Sequence, residues 1–390
     1  MSIYNQSKSL LNESIRMEIA DSVHEQGPIL TYELQGILVY CNECPPELLQ
    51  ALEGWFRDHG IVPHRMNEEF IQNPSCFDEL KNQTRQSILG VVVLDGLSPF
   101  IPFELGFVKG SGLSVIAVNS AKAQVNIKAF YHLAEESGLE TAVFEEQLTN
   151  PPFHTKNQLP EFERSGITRI SLNKSDVGKL QSVLGPALEN CCEKIGAKVV
   201  DKIGPELFGV SSSFIKEKLG EIFQRLMQIY LFSPIDCLTE LQEIYQRFKE
   251  FSVQNNELLP EKLVSLIAAA ALRSHTDQER PVQEGIASTV HFAGDICRDF
   301  LHSTAFQQNP DARTIVLKTA GCSELILAGL SEPVAHCREA INLFKEALRN
   351  AGPDTQDPVC QINLGIAYLK MAFQNEEALN CRLSIEAFTS

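Results

Sequence analysis

The chain reads as an α/β protein in which a parallel-sheet domain is followed by an all-helical region. Three observations predict this. Between about residues 31 and 200, short apolar, β-branched runs alternate with helical patterns, the pattern of a parallel sheet covered by helices. From about residue 205, apolar residues recur at helical spacing and no strand-like run intervenes. The last stretch, about residues 333–390, carries helix pairs with small residues at interior positions.

Gly36 to Tyr40 (GILVY) fits a buried strand. Pro45 and Pro46 follow, and proline is well tolerated in a first helical turn. Leu48, Leu49, Leu52, Trp55 and Phe56 then recur at helical spacing, His59 falls in the last turn, and Gly60 is a stop signal. Ile61 to His64 makes a second strand, so the stretch reads strand, helix, strand.

Cys76 to Ser87 predicts a polar-faced helix held by Phe77 and Leu80, and Ile88 to Leu94 (ILGVVVL) is the most strand-like run of the chain. Leu113 to Val118 and Ile167 to Leu172 predict two more strands. Residues 120–165 hold loops at Asn150-Pro151-Pro152 and Leu159-Pro160. Val177 to Ile195 predicts the closing helix, with Leu180, Val183, Leu184 and Leu188 on one face and a kink at Pro186. Residues 1–30 read as a polar arm.

In the helical region, Ile215, Leu219, Ile222, Phe223, Leu226, Met227 and Tyr230 write an amphipathic helix. Leu238 to Phe251, Leu263 to Leu272 and His291 to Leu301 continue in the same way. The expected organisation is therefore an arm (1–30), an α/β domain (31–200), a helical domain (205–330) and paired helices (333–390).

Composition narrows the function. With 33 basic against 50 acidic residues the formal charge is -17, so nucleic acid is not the expected partner, because that binding rests on Lys and Arg displacing counterions. No apolar stretch is long enough for a membrane-spanning helix and no signal core opens the chain, so a cytoplasmic location with reduced thiols is expected. The 11 cysteines have no framework spacing. Cys41 and Cys44 have C-x-x-C spacing but no second half of a zinc site, and read as buried thiols. No metal or cofactor is expected. There is no P-loop and no H-E-x-x-H. His291 and His302 read as surface or satisfied core residues.

The segment that carries chemistry runs from Val93 to Phe107 (VLDGLSPFIPFELGF). In open parallel sheets, ligands bind beyond the carboxyl ends of the strands. Asp95 follows such an end, and Glu104 opens the next helix, so both carboxylates can face one crevice. Asn42 and Glu43, just after the first strand, and Ser98 and Phe100 complete the candidate lining. Gly110-Ser111-Gly112 is a weak phosphate-loop signal. The bland readings are a helix-start carboxylate for Glu104 and a turn-former for Asp95.

Phe103-Glu104-Leu105-Gly106 resembles the Phe-Glu-Leu-Gly motif of bacterial Toll/interleukin receptor-like (TIR-like) domains, and also the Glu-x-Gly-aromatic motif of nucleoside deoxyribosyltransferases. The resemblance covers about residues 61–119 and implies a flavodoxin-like sheet. In both families the glutamate acts at the anomeric carbon of an N-ribosyl bond, which implies a catalytic role for Glu104 and NAD or a related nucleotide as the candidate substrate. A carboxylate beneath that carbon stabilises an oxocarbenium-like state or attacks it. The chain departs from both patterns. Phe100 stands where TIR-like domains usually have Asn, and Ser98 where deoxyribosyltransferases usually have Asp. Without that acid, NAD is the favoured substrate, because nicotinamide leaves as a neutral molecule.

Near the end, Glu339-Ala340-Ile341 with Phe344, Ala347 and Leu348, and Asn363-Leu364-Gly365-Ile366-Ala367-Tyr368 followed by Ser384 to Phe388, resemble tetratricopeptide repeats, with about seven residues inserted in the second. The combination resembles bacterial antiphage defence proteins. It implies an effector that self-associates and takes a protein or peptide partner through its helices. A nucleotide sensor without turnover and a pure interaction scaffold remain as alternatives.

Overall fold

A computed structural model describes residues 30, 34–41, 44–66, 81–93, 107–120, 167–172, 176–208, 211–232, 237–255, 259–273, 284–302, 310–352, 357–375 and 378–389. The arm before Leu30, the expected helix as far as residue 80 and the 121–166 stretch lie outside the described residues. The chain divides into two compact units, one spanning Glu33–Leu231 and one containing Phe232–Ser390.

The first unit is built on five parallel strands: β1 (Leu34–Val39), β2 (Ile61–Met66), β3 (Ser87–Val93), β4 (Ser114–Ser120) and β5 (Ile167–Leu172). They lie side by side in the order β2-β1-β3-β4-β5. Every residue of the central strand β3 is buried, which explains its unbroken apolar sequence. Helix α1 (Pro46–Asp58) joins β1 to β2, starting with proline in its first turn and ending at His59 before Gly60, whose φ is 66°. Those are the start and stop that the sequence predicts. Residues 81–86 are helical and lead into β3.

Strand alternation sends side chains to two opposite layers. On one face, a Cβ at Gly36 would lie 2.5 Å from the Phe56 ring of α1, so only glycine lets that ring settle on β1. Burying Phe56 in this way contributes about 1.5–3 kcal/mol. The same face receives α2 (Leu180–Phe208), which follows β5 and packs on β3, β4, β5 and α1. On the other face, Ile37, Val39, Val92, Val115 and Ala117 form a core with Val108 and Leu113. There a Cβ at Gly90 would lie 2.6 Å from Val108 Cγ1.

A short 3-10 turn (Val177–Lys179) precedes α2, whose Leu180, Leu184 and Leu188 are buried. The α-helix continues through Pro186, where a kink is expected. Pro186 is exposed, so the backbone bond it cannot make lies on the solvent side. Helix α3 (Ser212–Phe232) crosses α2 where Gly196 meets Gln224, with a hypothetical Cβ only 3.0 Å from the Gln224 Cα. Tyr230 of α3 is fully buried and donates a hydrogen bond to the Gly60 carbonyl at 3.0 Å. The compact unit thus extends through α3 to Leu231, past the change of periodicity near residue 205.

The second unit is helical among the described residues: α4 (Leu238–Gln254), α5 (Glu261–Arg273), α6 (Glu284–His302), α7 (Pro310–Leu330), α8 (Pro333–Ala351), α9 (Pro358–Asn375) and α10 (Ala378–Thr389). From α5 onward each helix packs on the next, and α5 also reaches α7. At the α7–α8 crossing a Cβ on Gly321 would lie 2.7 Å from the Phe344 ring. At the α9–α10 crossing Ser384 Oγ donates to the Gly365 carbonyl at 2.9 Å. A polar node joins three helices: buried Glu324 of α7 accepts from Arg298 of α6 at 2.6 Å and bonds His336 of α8 at 2.7 Å. His291 and His302 are exposed.

Candidate functional site

In the order β2-β1-β3-β4-β5 the chain leaves β1 toward one edge of the sheet and β3 toward the other. The carboxyl ends of these two neighbours are therefore the topological switch point, where open α/β sheets bind ligands. Val39 pairs with Val92, and Tyr40 extends the β1 ladder by donating its backbone N–H to Met66 O at 3.1 Å.

Two segments leave the sheet here. After β1, Cys44 N–H closes a turn on Cys41 O at 3.0 Å and α1 begins at Pro46. The amino end of α1 is thus directed to the carboxyl edge of the sheet, where its dipole favours negative charge. Asn42 and Glu43 are bracketed by Cys41 and Cys44 and lie outside the described residues. After β3, the described chain stops at Val93 and resumes at Phe107. Asp95, Ser98, Phe100 and Glu104 fall in that interval, outside the described residues. What the described residues give is where each segment leaves the sheet, at the carboxyl ends of the adjacent strands β1 and β3.

The downstream end of the Glu104 segment is firmly seated. Residues 107–110 form a helical turn, Val108 is fully buried over Gly90, and half-buried Phe107 packs on the same cluster. Val108 is a packing contact that the sequence did not single out; its signal was a bare glycine inside the apolar run of β3, the mark of a close approach.

Cys41 and Cys44 are both buried thiols at the β1–α1 junction, Cys41 within the apolar core. Among the described residues, no group of three His, Cys, Asp or Glu side chains could hold a metal ion. At the flank of this edge, Arg65 of β2 is committed to Glu53 of α1, its Nη2 donating at 2.7 Å and its Nε to the other carboxylate oxygen. The Glu53 hydrogen bond holds the guanidinium above its ordinary range.

Gly110-Ser111-Gly112 sits at the other end of the sheet, where β4 begins. Gly112 has a φ of 77°, and Lys198 Nζ donates to Ser111 O at 2.9 Å. This turn is a structural joint between α2 and the amino edge of β4, away from the switch point. Burial, and then the neighbouring Lys194, lower the Lys109 ammonium below the usual lysine range.

No family model, curated protein or solved structure matches the chain.

Proposed function

We propose that the α/β unit is a TIR-like N-ribosyl hydrolase acting on NAD or a related nucleotide, with Glu104 as its carboxylate, and that the helical unit governs its activity. The observation that carries this reading is topological. The segments holding Glu104 and Asp95, and Asn42 and Glu43, leave neighbouring strands at the switch point of a flavodoxin-like strand order. Together with the Phe-Glu-Leu-Gly motif, that is where an N-ribosyl bond would be expected to lie.

In the proposed reaction, water oxygen bonds to C1′ while the C1′–N bond breaks. Its electron pair returns to the ring nitrogen, which neutralises nicotinamide, and the proton from water goes to solvent. Glu104 faces the positive charge that builds on the ribose. One well-placed group of this kind lowers a barrier by roughly 3 kcal/mol. Asp95 and the other lining candidates hold ribose hydroxyls or the base. No metal, cofactor or membrane takes part.

The helical unit is proposed as a tetratricopeptide-like array of hairpins, with the small-residue crossings at Gly321 and Gly365 as its support. It would capture a protein or peptide and couple capture to self-association of the enzyme. Phe100, which stands where TIR-like domains usually have Asn, favours a second reading: a sensor that binds intact nucleotide without cleaving it.

The deciding experiment measures nicotinamide release from NAD by concentrated wild-type protein and by Glu104→Gln, with and without a crowding agent. Release that disappears in the variant supports the hydrolase. Saturable NAD binding in calorimetry without release moves the conclusion to the sensor, and neither binding nor release leaves the scaffold.

A further inference from the structure

We infer that α7–α8 and α9–α10 are tandem copies of one helix hairpin, and that an arginine kept at the same exposed place in each copy forms a ladder that docks an acidic peptide. This rests on the reading that the helical unit captures a partner, and it names the surface and the chemistry.

The two hairpins superpose in sequence without a gap. Gly321 falls on Gly365, Ala328 on Ala372, Cys337 on Cys381, Arg338 on Arg382, Ile341 on Ile385 and Phe344 on Phe388. The helix ends follow the same register: α7 and α8 are separated by residues 331–332, α9 and α10 by residues 376–377. In each copy the glycine of the first helix faces the second: Gly321 meets Phe344 of α8, and Gly365 accepts from Ser384 of α10, which falls on buried Ala340. The interval between copies exceeds the roughly 34 residues of a tetratricopeptide unit and lies within the roughly 40–47 of the longer helical repeats.

Most of the shared positions with described side chains have a packing reason. Gly321, Gly365 and Ala372 are at helix contacts, and Cys337 and Phe344 are fully buried. Arg338 and Arg382 do not. Both are exposed, and neither makes an ion pair among the described residues. Their neighbours have diverged, exposed Glu339 against half-buried Leu383 and exposed Asn342 against exposed Glu386. A retained exposed charge among diverged ones needs a cause outside the fold. Repetition puts the two guanidinium groups on equivalent faces of α8 and α10, one hairpin apart.

Guanidinium groups take carboxylates through paired hydrogen bonds. A ladder of two therefore fits an extended peptide carrying carboxylates at two points. A nucleic acid fits less well, because two cations release few counterions and the -17 chain repels a dense polyanion.

The test is fluorescence anisotropy of a labelled ten-residue alanine–serine peptide carrying two spaced glutamates against the full chain at low salt. Wild type is compared with Arg338→Gln, Arg382→Gln, the double variant, and Arg247→Gln, an exposed arginine of α4 outside both copies. Each ladder variant is expected to weaken binding about tenfold, the double variant to abolish it, and Arg247→Gln to leave it unchanged. If wild type binds but the ladder variants bind equally well, or Arg247→Gln weakens binding as much, the ladder is overturned while partner capture stands. Absence of wild-type binding overturns both. Tighter capture of a single-stranded oligonucleotide than of the peptide overturns the assignment of the partner.

Discussion

Replacing Gly90 with alanine tests how the Glu104 segment is held. The new methyl would stand 2.6 Å from Val108 Cγ1, well inside van der Waals contact, while β3 on one side and fully buried Val108 on the other leave little room to give. Overpacking of this kind costs about 1–3 kcal/mol. In a unit of this size that lowers Tm by about 2–4 °C per kcal/mol. Val108→Ala alone removes two buried carbons and costs about 1.6 kcal/mol. In the double variant the new methyl occupies the space those carbons leave, so the two costs should not add. The assay is urea unfolding of all four proteins as a double-mutant cycle. A coupling of about 1 kcal/mol or more is expected. If the double variant equals the sum of the singles within about 0.5 kcal/mol, Val108 does not seat on Gly90 and the argument for a fixed downstream end fails.

Other substitutions probe the rest of the frame. Tyr230→Phe removes the phenol's hydrogen bond to the Gly60 carbonyl, which still accepts from the Leu34 N–H at 3.1 Å, and should cost about 0.5–1.5 kcal/mol, read by urea midpoint. Arg298→Ala leaves the Glu324 carboxylate buried with His336 as its remaining partner, and about 1–3 kcal/mol should be lost. Asp295→Asn on the exposed side of the same arginine should stay within about 0.5 kcal/mol. Burial pushes the Cys297 thiol up to about 12. The folded state keeps a proton that the unfolded chain releases above about 8.5, so stability is full below that pH and falls as pH rises toward 12. The slope for this thiol is about 1.4 kcal/mol per pH unit, and Cys297→Ala should flatten the profile between pH 8.5 and 10.5 in urea titrations. An unchanged profile would count against a neutral, buried thiol.

The readability of the fold varied with how each element is buried. Strands β1, β3 and β4 were legible because both of their faces are covered and a run of Val, Ile and Leu is the only solution. Helix α1 was legible through Pro46, His59 and Gly60. Helix α7 was not delimited, although its region read as helical. Residues 319–328 are buried on every side, so no polar face marks a period. The proposed hairpin duplication has an interval longer than the tetratricopeptide template, against which its second copy reads as carrying an insertion. For the candidate site, the described residues place its neighbours, Cys41, Cys44, Val93 and Phe107, and the six lining and catalytic candidates remain arguments from motif and topology.

The strand order also bears on how the chain reaches its folded state. β4 and β5 are partners in the sheet, yet the chain between Ser120 and Ile167 must be synthesised before they can meet. Closing so long an excursion is slow relative to zipping a helix pair, whose contacts are local. During synthesis the apolar edge of β4 therefore waits for its neighbour, and α2 cannot cover the sheet until that neighbour has arrived. The hairpins of the second unit face no such delay once they emerge. Poor yields of truncated chains ending before residue 172 would follow from this order of events, and a chaperone that shields strand edges should relieve them.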